Sequence, residues 1–194
     1  PDDAVAEATT FRTADNAQVA ERAFALEAGA GPASLALVCV GPGGTAPTSA
    51  RLEELDEHLN GALVGVQRVG GVVVAGLTVT PSAATLQAVD VTATVSVLTD
   101  YSVGAVARIK AAVEAVLRPL AKRLILGSDG VWAESDVYLW DLGGTVARAV
   151  LTAAIVTAQS GVTNVTIATP AADLTLGTRS LPKPGTVSIT VVAV

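Results

Sequence analysis

The side chains that could do chemistry in this sequence are few and poorly grouped. His58 is the single histidine. It sits in EELDEHLN, on a charged helical stretch, where a solvated imidazole near a helix C-terminus is the plain reading. No nucleophile, base and orienting carboxylate assemble around it in the sequence. Cys39 is the single cysteine, inside the apolar run LALVCV, and reads as a small core hydrophobe. One cysteine builds neither an internal disulfide nor a thiolate metal cage. The turn GPGG (Gly41 to Gly44) stands between a strand and a helix, the setting of a phosphate loop. It lacks the Lys-Ser/Thr pair of a Walker loop and the spacing of a dinucleotide fingerprint, so it reads as a connecting turn. LGSDG (Leu126 to Gly130) and Gly143-Gly144 read in the same way. Asp129, Glu134, Asp136 and Asp141 form an acidic group whose spacing departs from that of a calcium loop, with Trp132, Val137 and Leu139 interleaved. Solvated carboxylates on a surface loop account for it. These residues point to no catalytic, cofactor or metal site, and the expectation is a chain that is not an enzyme.

Aromatic residues are the next chemistry to weigh. There are only two Trp, two Tyr and two Phe. Trp132, Tyr138 and Trp140 nevertheless fall in one short segment, WAESDVYLW. Two readings stay open. The segment packs as a lid over a core, or these side chains are anchors at a subunit contact, where Trp and Tyr are enriched.

The bulk composition narrows the partners. The chain has 194 residues, 51% hydrophobic and 15% charged. That is enough for one large or two small domains with a real core, and too apolar for disorder. The hydrophobic residues are mostly Ala, Val and Leu, which suits thin helix-on-sheet layers. A mean hydropathy of +0.55 leaves apolar surface for burial against other chains. Net charge is −6 with twelve basic residues. These are scattered, Lys122-Arg123 being the densest pair, so nucleic-acid binding through counterion release is not expected, nor is attraction to an anionic membrane. Val69 to Val89 and Ala149 to Ala172 lack charge, but Gly, Pro, Ser, Gln and Asn interrupt both, and membrane insertion is not expected. The chain starts with Pro, without a signal peptide pattern, and contains no Met. It is expected to be a piece of a longer subunit.

The elements that carry these residues follow from period and punctuation. Residues 1–33 read as a helical or linker segment, a remnant of a longer N-terminal part. Within it Asp15 caps a helix through AQVAERAFALEAG, stopped by Gly29, Gly31 and Pro32. Ser34 to Val40 reads as a buried strand. Thr48 or Ser49 caps the helix SARLEELDEHL, with Leu52, Leu55 and Leu59 on one face and Gly61 at its end. A second strand is expected over Val72 to Thr80, with Pro81-Ser82 as punctuation. VDVTATVSVL alternates, with Val89, Val91, Ala93, Val95 and Val97 on one face and Thr92, Thr94 and Ser96 on the other. A long helix runs from Val103 to Leu117, disturbed by Pro119. The segment TVARAVLTAAIVTAQSG is a helix with Val146, Val150, Ala153 and Ala154 on one face and Gly161 at its C′ position. VTNVTIATP is a strand. A loop through Pro182, Lys183 and Pro184 stiffens the approach to the last strand, TVSITVVAV, and Gly185 lets the chain turn into it. The expected fold is α+β: two small α/β modules in series, β-α-β over 34–84 and β-α-α-β-β over 85–194, with mixed sheets and helices packed on one face.

This order of elements resembles the baseplate J-like family of contractile phage tails and related injection machines. The resemblance is carried by Val89 to Val97 followed by a helix, Gly143-Gly144 before a helix, Gly161-Val162 closing it into a strand, and Leu181-Pro182 with Gly185 before the last strand. LALVCVGPGG through VVVAGLTVTP is similar to the family's preceding β-α-β unit, so the likeness covers about residues 34–194. The segment 124–142 is longer than in simple members. The resemblance implies no catalytic residue. It implies a wedge component in the virion or injection-particle baseplate, assembled in the host cytoplasm. Its partners would be copies of itself and other baseplate proteins, joined in a ring around the tail hub. Trp132, Tyr138 and Trp140 are then the possible interface residues, and Gly161, Pro182 and Gly185 structural ones. The competing readings are a ferredoxin-like module that binds a small molecule, and an enzyme using the Asp129 to Asp141 loop.

Overall fold

A computed structural model describes residues 2–27, 34–64, 67–73, 77–126 and 132–194, with the side chains of 124–126 and 132–133 outside that description. The chain divides into two compact units, Pro1–Thr85 and Leu86–Val194.

In the first unit, α1 (Asp2–Thr10) precedes β1 (Arg22–Glu27) and β2 (Ser34–Val40), then α2 (Ser49–Asn60), a hairpin of β3 (Gly61–Val64) and β4 (Gln67–Gly70), and β5 (Thr78–Ala83). The sheet order is β1-β2-β5, with β1 antiparallel and β5 parallel to β2. Its core gathers Leu35, Leu37 and Cys39 of β2 with Val79 of β5, Ala4 and Ala8 of α1, and Leu55 and Leu59 of α2. Residues of β2 two apart point to one face, and both helices cover that face. The Thr48 hydroxyl caps α2 by accepting from the Arg51 N–H at 3.4 Å.

Two expectations fail in this unit. Residues 22–27 form a strand rather than a helix. Ala, Leu and Glu favour helix locally, but every residue from Arg22 to Glu27 finds a partner in β2, from Val40 back to Leu35, and that nonlocal ladder overrides local propensity. Asp15 caps no helix; it accepts from Arg51, Thr13 and the Ala17 amide. Gly29, Gly31 and Pro32, the stop expected for that helix, lie outside the described residues. The second strand is β5, Thr78–Ala83, rather than Val72 to Thr80, so Pro81 and Ser82 lie inside it instead of ending it. A proline is tolerated there because β5 is an edge strand, whose open side needs no N–H.

In the second unit, β6 (Thr85–Val97) leads to α3 (Ala105–Val116), a hairpin of β7 (Lys122–Leu126) and β8 (Trp132–Tyr138), the short β9 (Thr145–Val146), α4 (Arg148–Ala158), β10 (Val162–Thr169), the short β11 (Leu174–Thr175) and β12 (Ser180–Ala193). The main sheet has the order β10-β6-β12. β10 is antiparallel to β6. β12 runs with β6: Gly185 lies against Val89 and Asp90, and Val194 bonds Val97. The alternation read in β6 is realised, with Val89, Val91, Ala93, Val95 and Val97 all buried. Ala105, Ile109 and Val113 of α3 and Leu151 and Ile155 of α4 supply the facing layer. Each buried Leu, Ile or Val contributes about 1.5–3 kcal/mol relative to exposure. The fold is α+β, with mixed sheets and helices on one face.

Two details differ from expectation here. The described part of the acidic segment is not a surface loop, since Trp132–Tyr138 is β8, paired with β7. Val150, Ala153 and Ala154 share one face of α4 as their spacing says, and it is the outward one; Leu151 and Ile155 meet the core, while Val146 lies before the helix in β9 and is buried. β12 begins at Ser180, so Pro182 and Pro184 lie within the strand instead of leading into it.

Candidate assembly surfaces

The polar residues singled out in the sequence are held by structural partners. His58 Nε2 lies 2.6 Å from Glu7 Oε1, and its ring stacks on Phe11 with centroids 4.4 Å apart. It therefore ties α2 to α1 rather than standing solvated alone. Its partners are remote in sequence, and no local signal announces them. Cys39 is fully buried in β2, and burial pushes its thiol up to about 12, which suppresses the thiolate. In the GPGG turn the Gly43 N–H donates to Glu21 Oε2 at 2.9 Å. A carboxylate of this chain thus takes the amide that an anion would use. Glu134 and Asp136 are exposed on β8, Asp141 is exposed beyond it, and Asp129 lies outside the described residues, as does most of LGSDG. Among the described residues no group of three His, Cys, Asp or Glu is placed to hold a metal ion, and no helix is long and apolar enough to cross a membrane.

The aromatic segment separates into different roles. Trp140 is 4% exposed, and its Nε1–H donates to the Val116 carbonyl at 2.7 Å. That carbonyl belongs to the last turn of α3, where C=O groups have no partner within the helix. The indole thus pins the foot of the β7–β8 hairpin to the end of α3. Tyr138 ends β8 opposite Lys122 and is half-buried. Trp132 opens β8 opposite Leu126, with its side chain outside the described residues.

Gly161 has φ +74°, and a Cβ there would meet the Tyr101 ring. It lies one residue beyond the expected C′ position, because α4 ends at Ala158 with Gln159 as its cap. Pro182 is buried. Gly185 is not a turn residue: an added Cβ would strike Asp90 Oδ1 and come within 3.0 Å of the Val89 carbonyl. The glycine lets β12 close on β6, and Asp90 Oδ1 accepts the Thr186 N–H at 2.7 Å.

Several large apolar side chains are exposed among the described residues. In the first unit the β3–β4 hairpin exposes Leu63 (67%), Val64 (65%) and Val69 (59%). It is nonetheless anchored, since Arg68 donates to Asp56 Oδ2 at 2.7 Å and to the Gly61 carbonyl at 3.1 Å. In the second unit Leu98, Tyr101, Val103 and Val194 are exposed. Thr99 N–H donates to the Val194 carbonyl at 3.1 Å, which brings the end of β6 beside the C-terminal residue. The outward face of α4 (Val150, Ala153 and Ala154) lines a groove of about 470 Å³ with Ala112 and Ala115 of α3 and Lys122 and Glu134 of the hairpin. Exposed apolar clusters of this kind are candidate contact surfaces. Sequence reasoning singled out the aromatic segment as a possible contact; it did not single out the hairpin at 61–70, whose exposed Leu63, Val64 and Val69 the structure adds as a candidate.

The model of the Baseplate J-like protein C-terminal domain matches residues 89–190, more than half of the chain. The match starts at the buried face of β6 and runs into β12, so it covers the main sheet, α3, the β7–β8 hairpin and α4. None of the curated proteins compared with the chain matches it. With its fold and its matched domain, the chain belongs to the baseplate J-like family, and its role is structural, in the phage tail baseplate.

Proposed function

We propose that the chain is a wedge component of a contractile tail baseplate, linking neighbouring subunits into a ring around the tail hub. Its partners are copies of itself and other baseplate proteins, and it assembles with them in the host cytoplasm before joining the particle. The two modules, 34–84 and 85–194, divide the work of contact between them. The observation that carries this reading is the exposed apolar surface on anchored elements, above all Leu63, Val64 and Val69 on the β3–β4 hairpin. An anchored hairpin cannot hide its side chains by collapsing, so a neighbouring chain is the natural cover.

Electron microscopy of the particle tests it. The expected result is density for this chain in the baseplate, touching adjacent subunits around the hub through the 61–70 hairpin. A chain absent from the baseplate, or present without contacts between neighbours, would refute the wedge role.

A further inference from the structure

The outer strands of the two three-stranded sheets are β1, β5, β10 and β12. An open edge offers a row of unpaired N–H and C=O groups to any other strand, and folded proteins blunt such edges. Three of these four are blunted. β1 is short and carries Arg22 and Glu27 at its ends. β5 holds Pro81. β10 breaks register twice, at Val162/Asn164 and Ile167/Thr169. β12 is fourteen residues long, and from Gly185 to Ala193 it holds no charged residue and no proline.

The ladder shows which backbone groups face outward. Val194 N–H donates to the Val97 carbonyl at 3.0 Å, and the Val194 carbonyl accepts from Thr99 N–H at 3.1 Å. In a parallel pair one residue turns both its groups to the neighbour and the next turns both away. Ser188, Thr190 and Val192 therefore bond towards β6. Val187, Ile189, Val191 and Ala193 turn N–H and C=O to the other side, where the described residues place no strand.

We propose that this edge pairs with the same edge of a second copy, antiparallel about a two-fold axis, so that two sheets join into one. The proposal rests on the reading that the chain assembles with itself, and names the surface. Charge does not stand against a second copy at this edge. The chain carries a net charge of −6, which sets copies against each other over most of the surface, whereas this strip is uncharged. Its side chains also suit themselves. With the axis at Thr190, Val187 lies opposite Ala193 and Ile189 opposite Val191, each pair exchanging two backbone bonds. Thr190 then faces Thr190 of the second copy. Hydroxyl meets hydroxyl on one face and β-branched meets apolar on the other, both favourable cross-strand pairs. Such an interface closes on itself.

Sedimentation or light scattering of the 194-residue chain is expected to give twice the 19.3 kDa chain mass. Thr190 is exposed, so Thr190→Lys or Thr190→Glu leaves the core intact, with circular dichroism as the check on folding. Either variant alone places like charges on Cα atoms about 4.5 Å apart and is expected to run as a single chain. An equimolar mixture of the two is expected to restore the doubled mass. A wild-type chain that stays single at high concentration, or a Thr190→Lys chain that stays doubled, overturns the proposal. Failure of the baseplate reading is distinguishable from either, because it is judged by locating the chain in the particle.

Discussion

Gly161 faces the Tyr101 ring so closely that a Cβ on the glycine would stand 2.6 Å from Tyr101 Cδ2. The contact joins the end of α4 to the short 3-10 turn Thr99–Tyr101 after β6, and the Gly161 carbonyl accepts the Leu98 N–H at 2.9 Å beside it. Gly161→Ala meets two penalties here. The left-handed conformation costs an L-residue about 1–2 kcal/mol, and the ring must move. The expected loss is about 2–4 kcal/mol in urea unfolding, at the upper end of ordinary point mutants. Adding Tyr101→Ala should recover only the part due to the clash. A Gly161→Ala chain as stable as wild type would show that the ring shifts freely and the backbone strain is relieved.

Trp140 gives a second prediction. Trp140→Phe keeps most of the buried ring but removes the donor to the Val116 carbonyl. Leaving a buried acceptor unsatisfied costs about 1–3 kcal/mol, whereas Trp140→Ala should cost about 3–5 kcal/mol through lost packing. Chemical denaturation distinguishes these outcomes. If Trp140→Phe is neutral, water has replaced the donor and the pin is packing alone.

The ion pair between Asp15 and Arg51, at 2.6 Å, sets a pH dependence. Hydrogen bonds from Arg51, then from Thr13, hold the Asp15 carboxyl well below the usual carboxylate range. A carboxylate depressed on folding stabilises the fold above its unfolded pKa, about 3.9, and that contribution fades as pH falls through the folded value. Thermal unfolding should therefore separate wild type from Asp15→Asn at pH 7 and bring them together in strong acid. Both side chains are substantially exposed, so salt should shrink the difference. A difference that persists undiminished in strong acid would assign it to something other than the carboxylate charge.

How much of this was legible follows from what each feature depends on. β6 was readable because its period is local: alternate Val and Thr fix the two faces without any partner. α2 was readable for the same reason, from Leu52, Leu55 and Leu59 and the Thr48 cap. β1 was not, because Arg22 to Glu27 becomes a strand only through β2, and its own composition says helix. Gly185 was recognised as special but for the wrong reason, since a close approach to Asp90 and a turn leave the same mark in a sequence. The spacing put Val150, Ala153 and Ala154 on one face of α4 but could not say which face meets the core; the larger Leu151 and Ile155 do. The Glu7–His58 tie and the exposure of Leu63, Val64 and Val69 on β3–β4 depend on placement in space, which spacing along the chain does not encode.

Cys39 supplies a prediction in which burial acts alone. Its thiol is raised to about 12 by desolvation, so native protein should resist thiol reagents at pH 8, while denatured protein should react stoichiometrically. A group raised on folding contributes fully below its unfolded pKa, about 8.5, and loses that contribution as pH rises through the folded value. Unfolding free energy should thus decline between about pH 9 and 12 in wild type, and decline less in Cys39→Ala. Cys39→Ala is also expected to be somewhat less stable at neutral pH, since it removes a fully buried sulfur from β2. Rapid labelling of the native chain at pH 8 would mean that β2 opens locally, and its place at the centre of the first core would have to be revised.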